Sequence, residues 1–200
     1  MLVPALSILR DPTAAAALLQ PDRLRLLREL TEPDSASGLA RRLQLPRQRV
    51  NYHLRELERQ GLVELVAERK KGNCVERVVR ASAQGYVVSP EALGSLGADP
   101  GRVADHKSAA YLAALAARVI RELGGLTERA RREDKRLATF SLDTEITFAS
   151  PADRAAFAEE LTRAVAALVA RYHTTHAPAG RRFRLIAGAY PAAASKEVTP

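Results

Sequence analysis

Residues 35–80 read SASGLARRLQLPRQRVNYHLRELERQGLVELVAERKKGNCVERVVR. Leu39 and Leu43 lie four apart and share one face of a helix, and either Ser35 or Ser37 can cap its start. The break is Gln44-Leu45-Pro46, because proline closes one helix and is tolerated at the opening of the next. In the second helix Val50, Leu54 and Leu57 fall at i, i+4 and i+7, a buried stripe. Its other face carries Arg47, Gln48, Asn51, Tyr52, Arg55 and Arg59, and Gly61 is a C-terminal cap. Leu62 to Val66 and Val75 to Val79 then alternate as strands. Between them stands a basic tip, Glu68 to Asn73, in which Gly72-Asn73 suits a hairpin turn. Helix, turn, helix, glycine, strand, basic tip, strand is the order of a winged helix-turn-helix.

The exposed residue types suit the reading of DNA. Arginine can hold guanine through two hydrogen bonds, and Asn or Gln can do the same for adenine. The N-terminal residues of a recognition helix reach base edges, so Arg47, Gln48 and Asn51 are candidate base readers. Tyr52 and Arg55 can read bases or hold phosphates, Arg49 stands beside them, and Arg41 and Arg42 are candidate phosphate clamps. In the hairpin tip, Arg69, Lys70 and Lys71 would reach flanking backbone. A solvated charged helix face is the plainer meaning of such a pattern, and Glu56 and Glu58 show that the face is not uniformly basic. A charged hairpin that discourages edge pairing is the plainer meaning of the tip. A winged helix that binds protein rather than DNA is the alternative function.

Residues 50–66 (VNYHLRELERQGLVELV) and 69–82 (RKKGNCVERVVRAS) resemble the ArsR-type winged-helix transcriptional regulators. The resemblance covers roughly residues 5–85. It implies a recognition helix over 46–60, a basic wing over about 68–74, N-terminal helices that support the reader, and a homodimer on double-stranded DNA. Metal-sensing members use clusters of cysteines. Here Cys74 is the sole cysteine, so a metal site is not implied and no cofactor is expected.

The net charge of +8 and pI near 10.1 favour a polyanionic partner. No apolar run is long enough to span a bilayer, and Met1-Leu2-Val3-Pro4 lacks the start of a signal peptide. One cysteine cannot form an internal disulfide. These readings point to a cytoplasmic protein without a membrane partner. The excess of arginine over lysine and the abundance of alanine suit a bacterium with GC-rich DNA.

Outside the motif the expected fold is α+β and mainly helical. Two helices precede the reader, one from Asp11 to about Leu19 and one from Pro21, with Leu24, Leu27 and Leu30 on one side. Gly94, Gly97, Pro100 and Gly101 mark a boundary, giving a DNA-binding domain at 1–93 and a dimerisation or effector-sensing domain at 94–200. Residues 103–137 read as a long linking helix that Gly124-Gly125 should break or kink. Leu112, Leu115, Val119 and Leu123 form its apolar stripe and are the candidate dimer interface, although core packing within one subunit would use the same stripe. The last third reads as a small β-α-β unit: Phe140 to Phe148 alternates, Ser150-Pro151 opens a helix striped by Phe157, Leu161, Val165, Leu168 and Tyr172, and Phe183 to Ala187 alternates again. The tail from Pro191 is expected to be disordered. A small-molecule effector is a further candidate partner, with Tyr111, Arg118 and Tyr172 as pocket candidates by placement.

The sequence carries no recognisable catalytic constellation. There is no GxxxxGK[ST], no GxGxxG and no GxSxG, so an enzyme is not expected. Cys74 reads as a small buried hydrophobe. His173 and His176 are spaced as metal ligands but lack a completing cluster, His106 is isolated, and His53 reads as a partly buried structural histidine. Asp143 and Glu145 read as the solvated face of a strand.

Overall fold

The computed structural model describes residues 3–71, 74–175 and 177–192, with Lys71 and Cys74 described by their backbone only. The expectations for the Gly72-Asn73 turn, the Lys71 and Cys74 side chains, His176 and the tail from 193 onward lie outside the described residues. The chain divides into two compact units, 1–137 and 138–200. The Gly/Pro-rich stretch at 94–101 falls inside the first of them.

In that unit, β1 (Ser7–Leu9) leads into α1 (Pro12–Leu18) and α2 (Pro21–Glu29). Asp11 caps α1 by accepting a 2.8 Å bond from the Thr13 amide. Next come β2 (Asp34–Ser35) and α3 (Ala36–Leu43), whose cap is Ser35, accepting from the Gly38 amide. Gln44 ends α3 in the left-handed region (φ 54°), and α4 (Arg47–Arg59) starts directly after Pro46. At the other end of α4, Gly61 has φ 69°, a conformation glycine adopts without a Cβ penalty. Its amide donates to the Glu58 carbonyl at 2.9 Å, and the Leu62 amide donates to the Leu57 carbonyl at 2.9 Å. That pair of bonds is a Schellman closure. It turns the chain straight into β3 (Val63–Lys71), which pairs antiparallel with β4 (Cys74–Ala81) through a bulge between Leu65 and Ala67.

β2 adds to the other edge of β4 (Asp34 opposite Val79), so α3 is fastened to the hairpin by backbone as well as packing. β5 (Tyr86–Val88) runs parallel to β1 and returns the chain to its start. Beneath α4 the helices and hairpin bury one apolar cluster that includes Leu26, Leu30, Leu39, Val50, Leu57 and Leu62, each with at most 1% exposure. Every leucine so buried contributes roughly 1.5–3 kcal/mol of transfer free energy.

α5 (Ala109–Arg132) is shorter than the expected 103–137 and continues through Gly124-Gly125 without a break. A Cβ on Gly124 would lie 3.0 Å from Ile8 Cγ2, so the glycine permits close contact between α5 and β1. Tertiary packing outweighs the roughly 1 kcal/mol that a helical glycine costs. α5 also packs on the 3-10 stretches Pro90–Leu96 and Pro100–Arg102. Arg10 ties these pieces together, bonding Glu91 at 2.5 and 2.8 Å and Glu128 at 3.2 Å.

The second unit departs from the expected β-α-β pattern. Its helix, α6 (Pro151–Tyr172), forms with Ser150 as cap and Pro151 at its first position. The alternating segments 140–148 and 183–187 form no strand. Alternation specifies two faces but supplies no hydrogen-bond partner, and two strands alone are marginal in water. None of the described residues of this unit is buried. For the first unit the packing makes a direct prediction: Leu57→Ala, at the meeting point of α4 and the hairpin, should lower stability by about 2–5 kcal/mol, read as a lower urea midpoint.

Candidate nucleic-acid interface

The apolar stripe of α4 turns Val50, Leu54 and Leu57 inward, which forces the intervening residues outward. Arg47, Gln48, Asn51, Tyr52 and Arg55 are all exposed, Tyr52 by 61%. A cleft of about 520 Å³ lies between α4, the start of α3 and β4. Arg47, Gln48, Asn51 and Arg55 line it from α4, Ser37 from α3, and Arg77 from β4. A smaller adjoining hollow of about 190 Å³ is lined by Ser37, Gly38, Arg41 and Arg69. One continuous face therefore brings together residues 32 positions apart in sequence, from Ser37 to Arg69.

The arginines fall into two groups. Arg49 is held by Asp22, with Nε and Nη2 donating at 2.9 and 2.5 Å. Arg42 is held by Glu29 at 3.0 Å and by Asp34 at 2.6 Å. Arg41, Arg47, Arg55, Arg69 and Lys70 make no ion pair among the described residues. Arg42 and Arg49 are thus anchored to carboxylates of their own chain, whereas the other five carry no ion-paired carboxylate, Arg55 standing near Glu58 without pairing to it. The Arg49 hydrogen bond holds the Asp22 carboxyl below its ordinary range. His53 Nε2 also approaches Asp22, at 3.3 Å, with its imidazole 12% exposed.

Two contacts that sequence spacing does not reveal fasten the hairpin to the helices. Arg77 of β4 donates to Glu58 of α4 at 2.6 and 2.9 Å. Ser35 Oγ donates to Glu76 at 2.9 Å. The Arg77 hydrogen bond lowers the Glu58 pKa, and the Glu58 hydrogen bond raises that of Arg77. No local signal marks such pairs, because 19 and 41 positions separate their members.

Residues 18–66 match the family model described as a helix-turn-helix domain. The N-terminal part is a helix-turn-helix domain. Its helices α3 and α4 are the pair read from the sequence, and the β3–β4 hairpin follows them. Among solved structures, the chain is similar to the transcriptional regulator HlyU from Vibrio vulnificus, with 26% identity, 36% of this chain and 71% of that chain covered, and a TM-score of 0.30. It is also similar to an ArsR-like transcriptional regulator from Rhodococcus sp. RHA1, with 28% identity, 61% and 86% covered, and a TM-score of 0.31. No curated protein matches the chain.

The other candidate residues lie elsewhere. Leu112, Leu115, Val119 and Leu123 on α5 are half-buried within the first unit. Tyr111 stacks on His106 with ring centroids 4.4 Å apart, and Arg118 lies 3.9 Å from Asp99. Tyr172 belongs to the second unit and is 73% exposed. His173 is the exposed residue that closes α6. Among the described residues no group of three or more His, Cys, Asp or Glu could hold a metal ion, and no helix is long and apolar enough to cross a membrane.

The Glu58–Arg77 pair carries a pH signature. A carboxyl whose pKa is lowered on folding stabilises the native state above its unfolded value, about 4.3, and loses that contribution as pH falls towards its lowered native value. Glu58→Gln should therefore be less stable than the parent at neutral pH, by on the order of 1 kcal/mol. Urea midpoints of the two proteins should converge as pH falls below about 4.

Proposed function

We propose that the chain is a sequence-specific DNA-binding transcriptional regulator that binds its operator as a homodimer. The observation that carries this reading is the composition of one exposed face. Residues able to form bidentate bonds with guanine or adenine line the same cleft, with Glu58 and Glu76, that cations without an ion pair border. Arg47, Gln48 and Asn51 read base edges in the major groove from the first turns of α4. Tyr52 and Arg55 extend that contact. Arg41 holds phosphate beside Arg69, and Lys70 extends the basic wing along the flanking backbone.

Arg42 and Arg49 act differently. Each is already bonded to a carboxylate of its own subunit, so each positions its helix and would contact phosphate only by giving up that partner. The complete reading surface lies within residues 1–93. A two-fold dimer would place two such surfaces about 34 Å apart, matching half-sites one turn of DNA apart. The net charge of +8 supplies the long-range attraction.

Fluorescence anisotropy with the chain's own upstream DNA and a scrambled duplex, over a salt series, tests the reading. Tight binding to the native duplex, weak binding to the scrambled one and a steep fall with salt are expected. Absence of binding at low salt would favour a protein-binding winged helix instead. Arg47→Ala or Asn51→Ala should cost roughly 1–3 kcal/mol on the native duplex and much less on the scrambled one. Lys70→Ala should weaken both duplexes alike and reduce the salt slope by about 1. Equal losses from Arg47→Ala on both duplexes would demote that residue to a phosphate contact.

A further inference from the structure

The second unit carries two segments whose alternating apolar and charged positions complement one another. Eleven large apolar side chains between Phe140 and Tyr190 are exposed, and none of the unit's described residues is buried. Phe140, Leu142 and Ile146 occupy alternate positions of the first segment, and Phe183 and Leu185 alternate positions of the second. The intervening positions bear opposite charge. Asp143 and Glu145 lie on the polar side of the first segment, and Arg182 and Arg184 on that of the second. Asp143, Glu145 and Arg182 make no ion pair among the described residues. Opposite charges across a strand pair stabilise it, and like charges disfavour it.

We propose that a second copy of this chain is the missing partner, with 140–148 of one copy pairing as a strand with 181–187 of the other. Pairing within a single copy would give a two-stranded sheet, which is marginal alone. Two copies would give four strands with two α6 helices to cover one face, a layer able to hold a core. The exposed side chains of this unit could bury on the order of 1,000 Å² per copy, the scale of a specific interface. The proposal draws on the homodimeric reading above only in naming a second copy as the occupant. A dimer held by other surfaces would leave that reading standing and overturn this one.

Sedimentation equilibrium of the full chain tests it with two variants. One combines Asp143→Arg with Glu145→Arg; the other combines Arg182→Glu with Arg184→Glu. Each alone should weaken self-association by at least about tenfold, because like charges then face one another at both contacts. An equimolar mixture should recover the dimer, since each contact in the mixed pair joins arginines to glutamates or arginines to acids. Mass spectrometry of the intact complex should show one copy of each variant. Unchanged far-ultraviolet circular dichroism and unchanged binding to a single half-site would confirm that residues 1–137 remain folded. Dimers that survive both variants would overturn the proposal, as would a loss that mixing does not restore. A monomeric parent chain would overturn both this proposal and the homodimeric reading.

Discussion

The burial of a single stripe, Val50, Leu54 and Leu57, decides what the first unit can do. These side chains are buried in one apolar cluster that includes Leu26, Leu30, Leu39 and Leu62, which sets the rotation of α4 about its axis. Once that setting is fixed, residues at the other positions of α4 must face solvent. The exposure of Arg47, Gln48, Asn51 and Arg55 is therefore a consequence of core packing. The Schellman closure at Gly61 extends the constraint, because it carries Leu62 into the same cluster and launches β3 in a defined direction. Helix orientation and hairpin placement are two outcomes of the same burial.

Electrostatics then sorts the cations that packing has exposed. Arg42 and Arg49 are as exposed as their neighbours, yet Glu29, Asp34 and Asp22 occupy their guanidinium groups. Surface pairs of this kind add little to stability, with a median of about 0–1 kcal/mol. Their larger effect is on availability: a phosphate would have to displace a carboxylate before using either arginine. Arg47, Arg55 and Arg69 make no such ion pair among the described residues, although Glu58 stands near Arg55 and Glu76 opposite Arg69. Net charge therefore overstates the attraction available at the interface, and the pattern of internal pairs selects which residues supply it. Glu58 shows a second use of a carboxylate in a basic region, since its bonds to Arg77 hold the hairpin against α4.

How much of this was legible in the sequence follows from the range of the forces involved. The two helices, their caps and the break at Pro46 arise from neighbours within four residues, and the periodicity of Leu39, Leu43, Val50, Leu54 and Leu57 displays them. The candidate reading face follows by exclusion from the buried stripe. The parallel pairing of β1 with β5 was not legible, because three residues at each end of the domain carry no periodic signal. Nor was the sequestration of Arg42 and Arg49, which depends on side chains 8 to 27 positions away. Gly124-Gly125 misled for a related reason: an isolated helix would break there, whereas close contact with Ile8 makes a small residue useful.

The second unit separates two properties that alternation usually delivers together. A period of two tells which side chains share a face, and Phe140 to Phe148 has that period as clearly as β3 does. A strand, however, exists only when its amides and carbonyls find a neighbour. β3 finds one because β4 begins only three positions after β3 ends, so the entropic cost of bringing the two together is small. The segments 140–148 and 183–187 are separated by the whole of α6, and the sheet they could form alone has too few strands to repay their ordering. Equal periodicity thus gives a hairpin in one unit and irregular chain in the other. The difference lies in the number of strands within reach, which a second copy changes and a single copy cannot.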